Sequence, residues 1–150
     1  MTPQERAERA ARAMWANDQA SQQMGMRLDE IAPGRAVLSM EVQPHHLNGH
    51  KICHGGFIFT LADSAFAFAC NSYNRLTVAQ ENQITFLAPG QLGERLTATA
   101  QEQALAGRSG VYDITVTGAD GRKVALMRGL SRTVKGQHFP EEEETQASGA

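Results

Sequence analysis

The sequence contains few cysteines, few aromatic residues and no large excess of charge of either sign. Of its 150 residues, 2 are cysteines and 6% are aromatic. Cys53 and Cys70 are too few for a disulfide scaffold and are not spaced as a zinc motif, so neither kind of small stapled domain is expected. Lys and Arg total 14 against 16 Asp and Glu, a formal net charge of -2. This balance argues against a dedicated nucleic-acid binder, which must neutralise many phosphates.

The sequence also lacks a long hydrophobic run. No stretch reaches the roughly 20 apolar residues that a transmembrane helix needs. The segment from Met1 to Trp15 carries both charge signs and lacks the apolar region of a secretory signal. Because 41% of the residues are hydrophobic, the chain can still bury a real core in one domain. We therefore expect a globular domain in the cytoplasm, with neither a membrane nor a nucleic acid as its partner.

The residue pattern predicts a helix, a strand, a second helix and then four strands. Residues 1–25 are expected to be a helical segment, because apolar residues recur at helical spacing between Ala7 and Trp15. Residues 26–135 are expected to form the main domain, and the acidic residues 136–150 a solvated, mostly disordered tail. Strands are predicted, the last four in antiparallel hairpin order, at residues 35–43, 78–87, 92–104, 111–117 and 123–134.

The most unusual segment is residues 57–70, which read FIFTLADSAFAFAC. It is apolar nearly all round and has no glycine or proline, a pattern typical of a helix that is buried on every side. We therefore predict an α+β fold in which an antiparallel sheet wraps around one long helix. Because one small sheet cannot cover the whole helix and leaves an open edge, dimerisation is also expected.

Asp63 is the anomaly of this segment, since it places an acid in the middle of an apolar helix. Burying an unpaired carboxylate costs several kcal/mol or raises its pKa. In the structural interpretation, Asp63 pairs with a nearby donor or lies on a thin polar stripe with Thr60, Ser64 and Ala67. In the functional interpretation, it is a reactive carboxylate. The pattern alone leaves both interpretations open.

A His-Gly-Gly sequence, His54-Gly55-Gly56, lies immediately before the helix. The glycines let another molecule approach the backbone, and the free N–H groups of a helix N-terminus can hold an oxyanion. Alternatively, the glycines only turn a loop into a helix. Asn48, in the preceding loop, either orients a water or a substrate carbonyl, or simply forms a turn.

Histidines and a cysteine crowd the same region, which suggests a metal site: His45, His46, His50, Cys53 and His54. Their spacing fits neither HExxH nor a Cys/His zinc module, so no metal site is predicted. His54 is instead predicted to be a positioned hydrogen-bonding group.

The segment around the acid resembles a known family signature. Residues 54–72, which read HGGFIFTLADSAFAFACNS, are similar to the signature of the hotdog-fold thioesterases, and most closely to the phenylacetate-degradation (PaaI) subfamily. Supporting similarity lies in residues 84–90, 110–114 and 124–129. The resemblance implies a hotdog fold, in which an antiparallel sheet wraps around the helix of about residues 56–71. It also implies dimers that often pair into tetramers.

The activity that this resemblance implies is hydrolysis of acyl-coenzyme A (acyl-CoA) thioesters, such as phenylacetyl-CoA and its ring-hydroxylated relatives. No cofactor is implied, because CoA is part of the substrate and its thiolate is a good leaving group. By position, Asp63 is the family's acid, acting as general base or nucleophile, and Gly55 is its oxyanion donor. Asn48 is the upstream asparagine. In the family, the acid of one subunit faces the glycine of the other.

One stretch departs from the family pattern. Relatives often place a Ser or Thr, used near the reacting water, in the strand before residues 84–86. Here that stretch, residues 79–83, reads AQENQ. Gln80 or Gln83 is predicted to take over the role.

Substrate contacts are predicted at the start of the long helix and in the last strand, at Gly56, Phe57, Phe59, Arg128, Arg132 and Lys135. The glycine allows close approach, the rings suit an acyl or aryl group, and the basic side chains suit the CoA phosphates. The strand alternation places Arg128 and Arg132 on one face. In the simpler interpretation, the rings belong to the core and the basic residues are ordinary solvated charges.

Two other functions stay open at this point. A hotdog hydratase or dehydratase would act on an acyl thioester with His54 and Asp63 as its reactive pair. A non-catalytic acyl-CoA-binding module would bind the same ligand without turning it over.

Overall fold

The computed structural model describes residues 1–142. Helices α1, α2 and α3 span Pro3–Asn17, Gln19–Gln23 and Gly55–Cys70, and a single 3₁₀ turn spans Pro44–His46. The strands, β1 to β6, span Met26–Ala32, Arg35–Glu41, Thr77–Phe86, Arg95–Ala106, Ser109–Thr117 and Lys123–Thr133. No helix in this part of the chain combines the length and apolar character needed to cross a bilayer.

The N-terminal helical segment is two helices, divided at Asp18. Thr2 caps α1 by accepting a hydrogen bond from the N–H of Glu5 at 3.1 Å, and Pro3 occupies the first turn, where no N–H is needed. Asp18 ends α1 and caps α2, because its side chain accepts a hydrogen bond from the N–H of Ser21 at 3.0 Å. The break therefore follows from a capping side chain.

The six strands form one antiparallel sheet in the order β1-β2-β4-β5-β6-β3. The prediction that the last four strands follow one another in hairpin order is wrong for β3, which pairs with β6 at the far edge, whereas β4 pairs with β2. Strand β1 was not predicted from the sequence. Its apolar alternation is interrupted by a register shift between Leu28 and Glu30, and only Met26 of its residues is fully buried.

Helix α3 packs across the sheet, chiefly on β2, β4 and β5. Phe66 anchors this contact, with its ring centroid 5.5 Å from that of Tyr112, and both side chains are buried. The rest of the core is aliphatic or aromatic and includes Leu38, Met40, Leu61, Phe68, Leu96, Ile114 and Val116. The predicted α+β class is confirmed.

Within the single chain α3 is not buried on every side, in agreement with the expectation that one small sheet cannot cover the whole helix. Thr60, Asp63, Ser64 and Ala67 form a stripe that is only partly buried, while the opposite side of the helix meets the sheet. A sheet can cover only the side of a helix that packs on it, so the Asp63 side stays accessible within one chain.

The described part of the acidic tail makes specific contacts. Asn74 Oδ1 accepts hydrogen bonds from the N–H groups of His138 and Phe139, at 2.9 and 3.2 Å. Glu141 forms an ion pair with Arg6 at 2.9 Å. Residues 136–142 are therefore held against α1 and the end of α3, whereas residues 143–150 of the predicted tail lie outside the described residues.

Candidate active site

The candidate site begins at the N-terminus of α3. His54 is the N-cap, and its Nδ1 accepts a hydrogen bond from the N–H of Gly56 at 2.8 Å. Because Nδ1 is the acceptor, the proton of the neutral ring lies on Nε2, which remains available as a donor. His54 is therefore a hydrogen-bonding group, as the sequence predicted: its Nδ1 caps the helix, and its Nε2 remains available.

The N–H of Gly55 has no acceptor within residues 1–142. It belongs to the first turn of the 16-residue helix α3, where the helix dipole favours negative charge. The ring of Phe86 lies over this glycine, since a Cβ built at Gly55 would be 3.1 Å from its Cζ. Gly55 therefore combines a donor that is unused within residues 1–142 with a position where an added Cβ would press on the Phe86 ring.

Asp63 lies two turns further along the same helix. Its Oδ1 accepts a hydrogen bond from Nδ2 of Asn82 at 2.8 Å. Burial raises the pKa of Asp63, and the hydrogen bond from Asn82 lowers it in opposition. Both parts of the structural interpretation are thus present, a nearby donor and a partly exposed stripe. The second carboxylate oxygen accepts no hydrogen bond within residues 1–142.

Asn82 is the residue that sequence reasoning missed. Gln83 points to the outer face of the sheet opposite Arg128, and Gln80 is the extra residue of a register shift between Ala79 and Glu81. Neither makes the contact with the acid that Asn82 makes. The inward alternation of Asn82 with Ile84 was a usable signal, but the register shift two residues earlier obscured it.

The histidine-rich loop does not assemble a metal site in the described chain, since no group of three His, Cys, Asp or Glu side chains converges there. His46 is buried, and its Nδ1 accepts a hydrogen bond from the N–H of Gln43 at 2.9 Å. Burial lowers the pKa of His46, and nearby His45 adds to the effect. Burial raises the pKa of Cys53 to about 11, so its thiol stays protonated near neutral pH.

Comparison with known proteins identifies the family. The thioesterase superfamily model matches residues 50–125. The acyl-coenzyme A thioesterase PaaI of Escherichia coli is 44% identical over 126 residues, which are 84% of this chain and 90% of that protein. This chain belongs to the thioesterase superfamily. The prediction that it is a thioester-hydrolysing enzyme is confirmed at the level of that family.

Solved structures agree with this assignment. The structure of the E. coli PaaI protein from the phenylacetic acid degradation operon superposes with a TM-score of 0.89 and 42% identity, covering 91% of this chain and 99% of that one. A hypothetical thioesterase from Streptococcus pneumoniae, solved with coenzyme A, superposes with a TM-score of 0.71 and 25% identity, covering 75% and 88%. The predicted hotdog fold is confirmed.

In this thioesterase, Asn48 forms a turn. Its Oδ1 accepts hydrogen bonds from the N–H groups of His50 and Ile52, at 2.9 and 3.4 Å. The turn closes the loop that leads into α3, and the amide nitrogen of Asn48 keeps its donors available. The turn-forming interpretation therefore describes the oxygen of this side chain, while its amide nitrogen donates no hydrogen bond within residues 1–142.

The aromatic and the basic residues predicted to contact the substrate lie in two different parts of the structure. Phe57 and Phe59 are partly buried near the start of α3, and Phe57 packs on His46 with ring centroids 4.8 Å apart. Arg128 and Arg132 share the exposed outer face of β6.

Arg128 already has a partner on that face. Its guanidinium donates two hydrogen bonds to Asp113, at 2.7 and 2.9 Å, which lower the pKa of that carboxyl. Arg132 has no acidic partner within residues 1–142, and the exposed Lys135 follows the end of β6. Of the three predicted phosphate contacts, Arg132 and Lys135 are therefore the ones not already paired with a carboxylate.

Proposed function

We propose that this chain is a cytoplasmic acyl-CoA thioesterase that hydrolyses aryl-acyl thioesters, such as phenylacetyl-CoA or hydroxyphenylacetyl-CoA, to the free acid and CoA. The observation that carries the proposal is the Asp63 carboxylate, partly buried in an apolar helix with one oxygen unpartnered. Its helix begins with the unused N–H of Gly55. The acyl-CoA activity of the 44% identical E. coli relative supports the same substrate class.

The two groups divide the chemistry of thioester hydrolysis. Asp63 takes a proton from water as the water oxygen attacks the carbonyl carbon. The charge that develops on the carbonyl oxygen is held by the N–H of Gly55 and the helix dipole, as in other oxyanion sites. Collapse of the tetrahedral intermediate breaks the C–S bond and releases the CoA thiolate. Alternatively, Asp63 attacks directly, and water then hydrolyses the resulting anhydride.

The proposed site needs two copies of the chain. Gly55 and Asp63 are two turns apart on one helix, about 12 Å along its axis at 1.5 Å per residue. Both groups must approach within about 3 Å of the reacting atoms, so one chain cannot supply the pair. Strand β3 is an edge of the sheet, and a second copy paired there would continue the sheet. We propose a homodimer on this basis, and dimers of dimers by the family resemblance.

The remaining residues are assigned to substrate binding. Nε2 of His54 and the amide nitrogen of Asn48 are available donors near the start of α3. The rings of Phe57, Phe59 and Phe86 offer apolar surface for an aryl group. Gly56, whose N–H is used by His54, contributes only close approach.

A turnover panel tests the proposal. Release of CoA is followed with a thiol-reactive dye for phenylacetyl-CoA, hydroxyphenylacetyl-CoA, benzoyl-CoA and hexanoyl-CoA, with Asp63→Asn as the matched control. We expect thiol release by the wild type, fastest with the aryl-acetyl substrates. Loss of the enoyl absorbance of an enoyl-CoA without thiol release would instead indicate a hydratase. Tight binding with no turnover of any substrate would indicate a binding module.

A further inference from the structure

The hydrogen bond between Asn82 and Asp63 joins the middle of α3 to strand β3. Asn82 lies on the inward face of β3, opposite Gly129 of β6, and its Nδ2 donates to Asp63 Oδ1 at 2.8 Å. Asp63 accepts no other side-chain hydrogen bond within residues 1–142. One carboxylate oxygen is therefore held, and the other is unpartnered.

The surroundings of Asn82 determine which way its amide points. Its Oδ1 is buried and has no hydrogen-bond partner in the described chain. It lies close to Gly129: a Cβ atom added to this glycine would be 2.9 Å from the oxygen and 2.7 Å from the Phe66 ring. Reversing the amide would set its oxygen against the carboxylate, which repels it, so the nitrogen must face Asp63.

The unpartnered Oδ1 of Asn82 lowers the stability of the fold, so a purely structural role does not explain an asparagine at this position. A buried carbonyl oxygen without a donor destabilises the fold, and an apolar residue of similar size would fit beside Phe66 without that loss. The contact that Asn82 does make, at 2.8 Å to Asp63 Oδ1, is a charge-assisted hydrogen bond whenever the acid is ionised. The hydrogen bond from Nδ2 to Asp63 is therefore the interaction that offsets the destabilising effect of the unpartnered Oδ1.

We propose that Asn82 is a positioning residue that holds Asp63 by Oδ1 and so presents Oδ2 to the reacting water or thioester. This inference rests on the proposed thioesterase function. It assigns to an amide on β3 the positioning of the acid, a role distinct from the water-holding role that the sequence predicted for Gln80 or Gln83.

The same contact adjusts the protonation of the acid. Burial favours the neutral form of Asp63, while the hydrogen bond from Asn82 favours the ionised form. The other group that interacts electrostatically with it is Cys70 on the same helix, whose pKa burial raises to about 12. No charged side chain of the described strands packed against α3 acts on Asp63. Removing the amide therefore leaves burial unopposed, and the pKa of Asp63 should rise.

Two variants test the proposal on the full-length protein. Asn82→Leu keeps the number and branching of the side-chain heavy atoms and removes the donor, and Asn82→Ala repeats the test if the first variant does not fold. Thr85→Ala, on the exposed face of the same strand, is the matched control. The readouts are the pH profile of kcat/KM for phenylacetyl-CoA and the pKa of the Asp63 carboxyl by carbon-13 NMR.

We expect kcat at pH 7 to fall about tenfold while KM changes little, and the acidic limb to move up by about 0.5 to 1 pH unit. The NMR pKa should rise by a similar amount, and Thr85→Ala should match the wild type. A folded Asn82 variant with an unmoved acidic limb and NMR pKa would overturn the inference. If the wild type released no CoA, the proposed function would fail instead, while the NMR comparison would still decide whether Asn82 controls Asp63.

Discussion

The ring of Phe86 covers Gly55, so closely that a methyl group added to the glycine would lie 3.1 Å from Cζ of the ring. The two residues are brought together from the end of β3 and the start of α3. Phe86 is 50% exposed in the single chain, so part of its ring surface is left uncovered. This contact makes the identity of residue 55 matter even though alanine would keep the N–H.

Gly55→Ala should lower kcat/KM by about 10-fold to 100-fold, because the new Cβ displaces either the ring or the helix start by a fraction of an ångström. Adding Phe86→Ala removes the obstacle and should restore part of the loss. Phe86→Ala alone is the control, and melting temperatures confirm that each variant folds. Full activity of Gly55→Ala would show that close packing at this glycine is not needed.

Asp63→Asn should lower kcat at least about 100-fold, because a base or nucleophile is lost. Its melting temperature should equal or exceed that of the wild type at pH 7. Burial raises the pKa of Asp63 above its ordinary 3.8, so its ionisation costs stability as the pH rises from that value through the raised pKa. The stability advantage of the variant should therefore disappear at lower pH. A folded variant with near-normal turnover would remove Asp63 from the mechanism.

Mixing two impaired variants tests the shared site. Asp63→Asn and Gly55→Ala are co-expressed with different tags, and the mixed dimers are isolated. One of the two sites in each mixed dimer has both wild-type groups, so isolated mixed dimers should recover about half of wild-type activity, and an unsorted mixture about a quarter. Mixed dimers no more active than the Gly55→Ala parent, or an active monomer in light scattering, would contradict a site built from two chains.

Arg132→Ala should raise KM for an acyl-CoA about threefold to tenfold and leave KM for the matching pantetheine thioester unchanged, because only the CoA ester carries the nucleotide phosphates. Arg128→Ala is expected to have a smaller effect, since Asp113 already occupies that guanidinium. The comparison uses steady-state kinetics at constant ionic strength. Equal changes for both esters would exclude a phosphate contact by Arg132.

Acid stability should depend on the pair formed by Glu94 and Arg122. Their closest contact is 2.6 Å, and the hydrogen bonds from Arg122 lower the pKa of Glu94 from 4.5 to about 2. Because the folded-state pKa is the lower one, this contribution is complete above pH 4.5 and is lost as the pH falls toward 2. Glu94→Gln should therefore be less stable than the wild type at pH 7, with the difference closing by pH 2. A difference independent of pH in urea unfolding would contradict the ion-pair origin.

Local sequence determined the elements that carry the reactive groups. The apolar run with one acid predicted a helix, and the glycines before it marked the helix start, because helix formation and capping depend on residues within a few positions of one another. The eight-residue spacing of Gly55 and Asp63 likewise follows from the printed order and the helical rise. Each of these features depends only on residues close to it in the sequence, so the sequence alone predicts it.

Tertiary structure decided what meets those groups. Asn82 reaches Asp63 only because β3 pairs with β6 at the sheet edge, and the register shift before Asn82 sets which of its residues point inward. The pairing of Arg128 with Asp113 similarly depends on the register of β5 against β6. Register between strands is chosen by packing of the whole sheet on α3, which no short segment specifies by itself. The sequence alone therefore determined where the proposed acid and the proposed oxyanion donor lie on α3, and the fold decided which residues surround them.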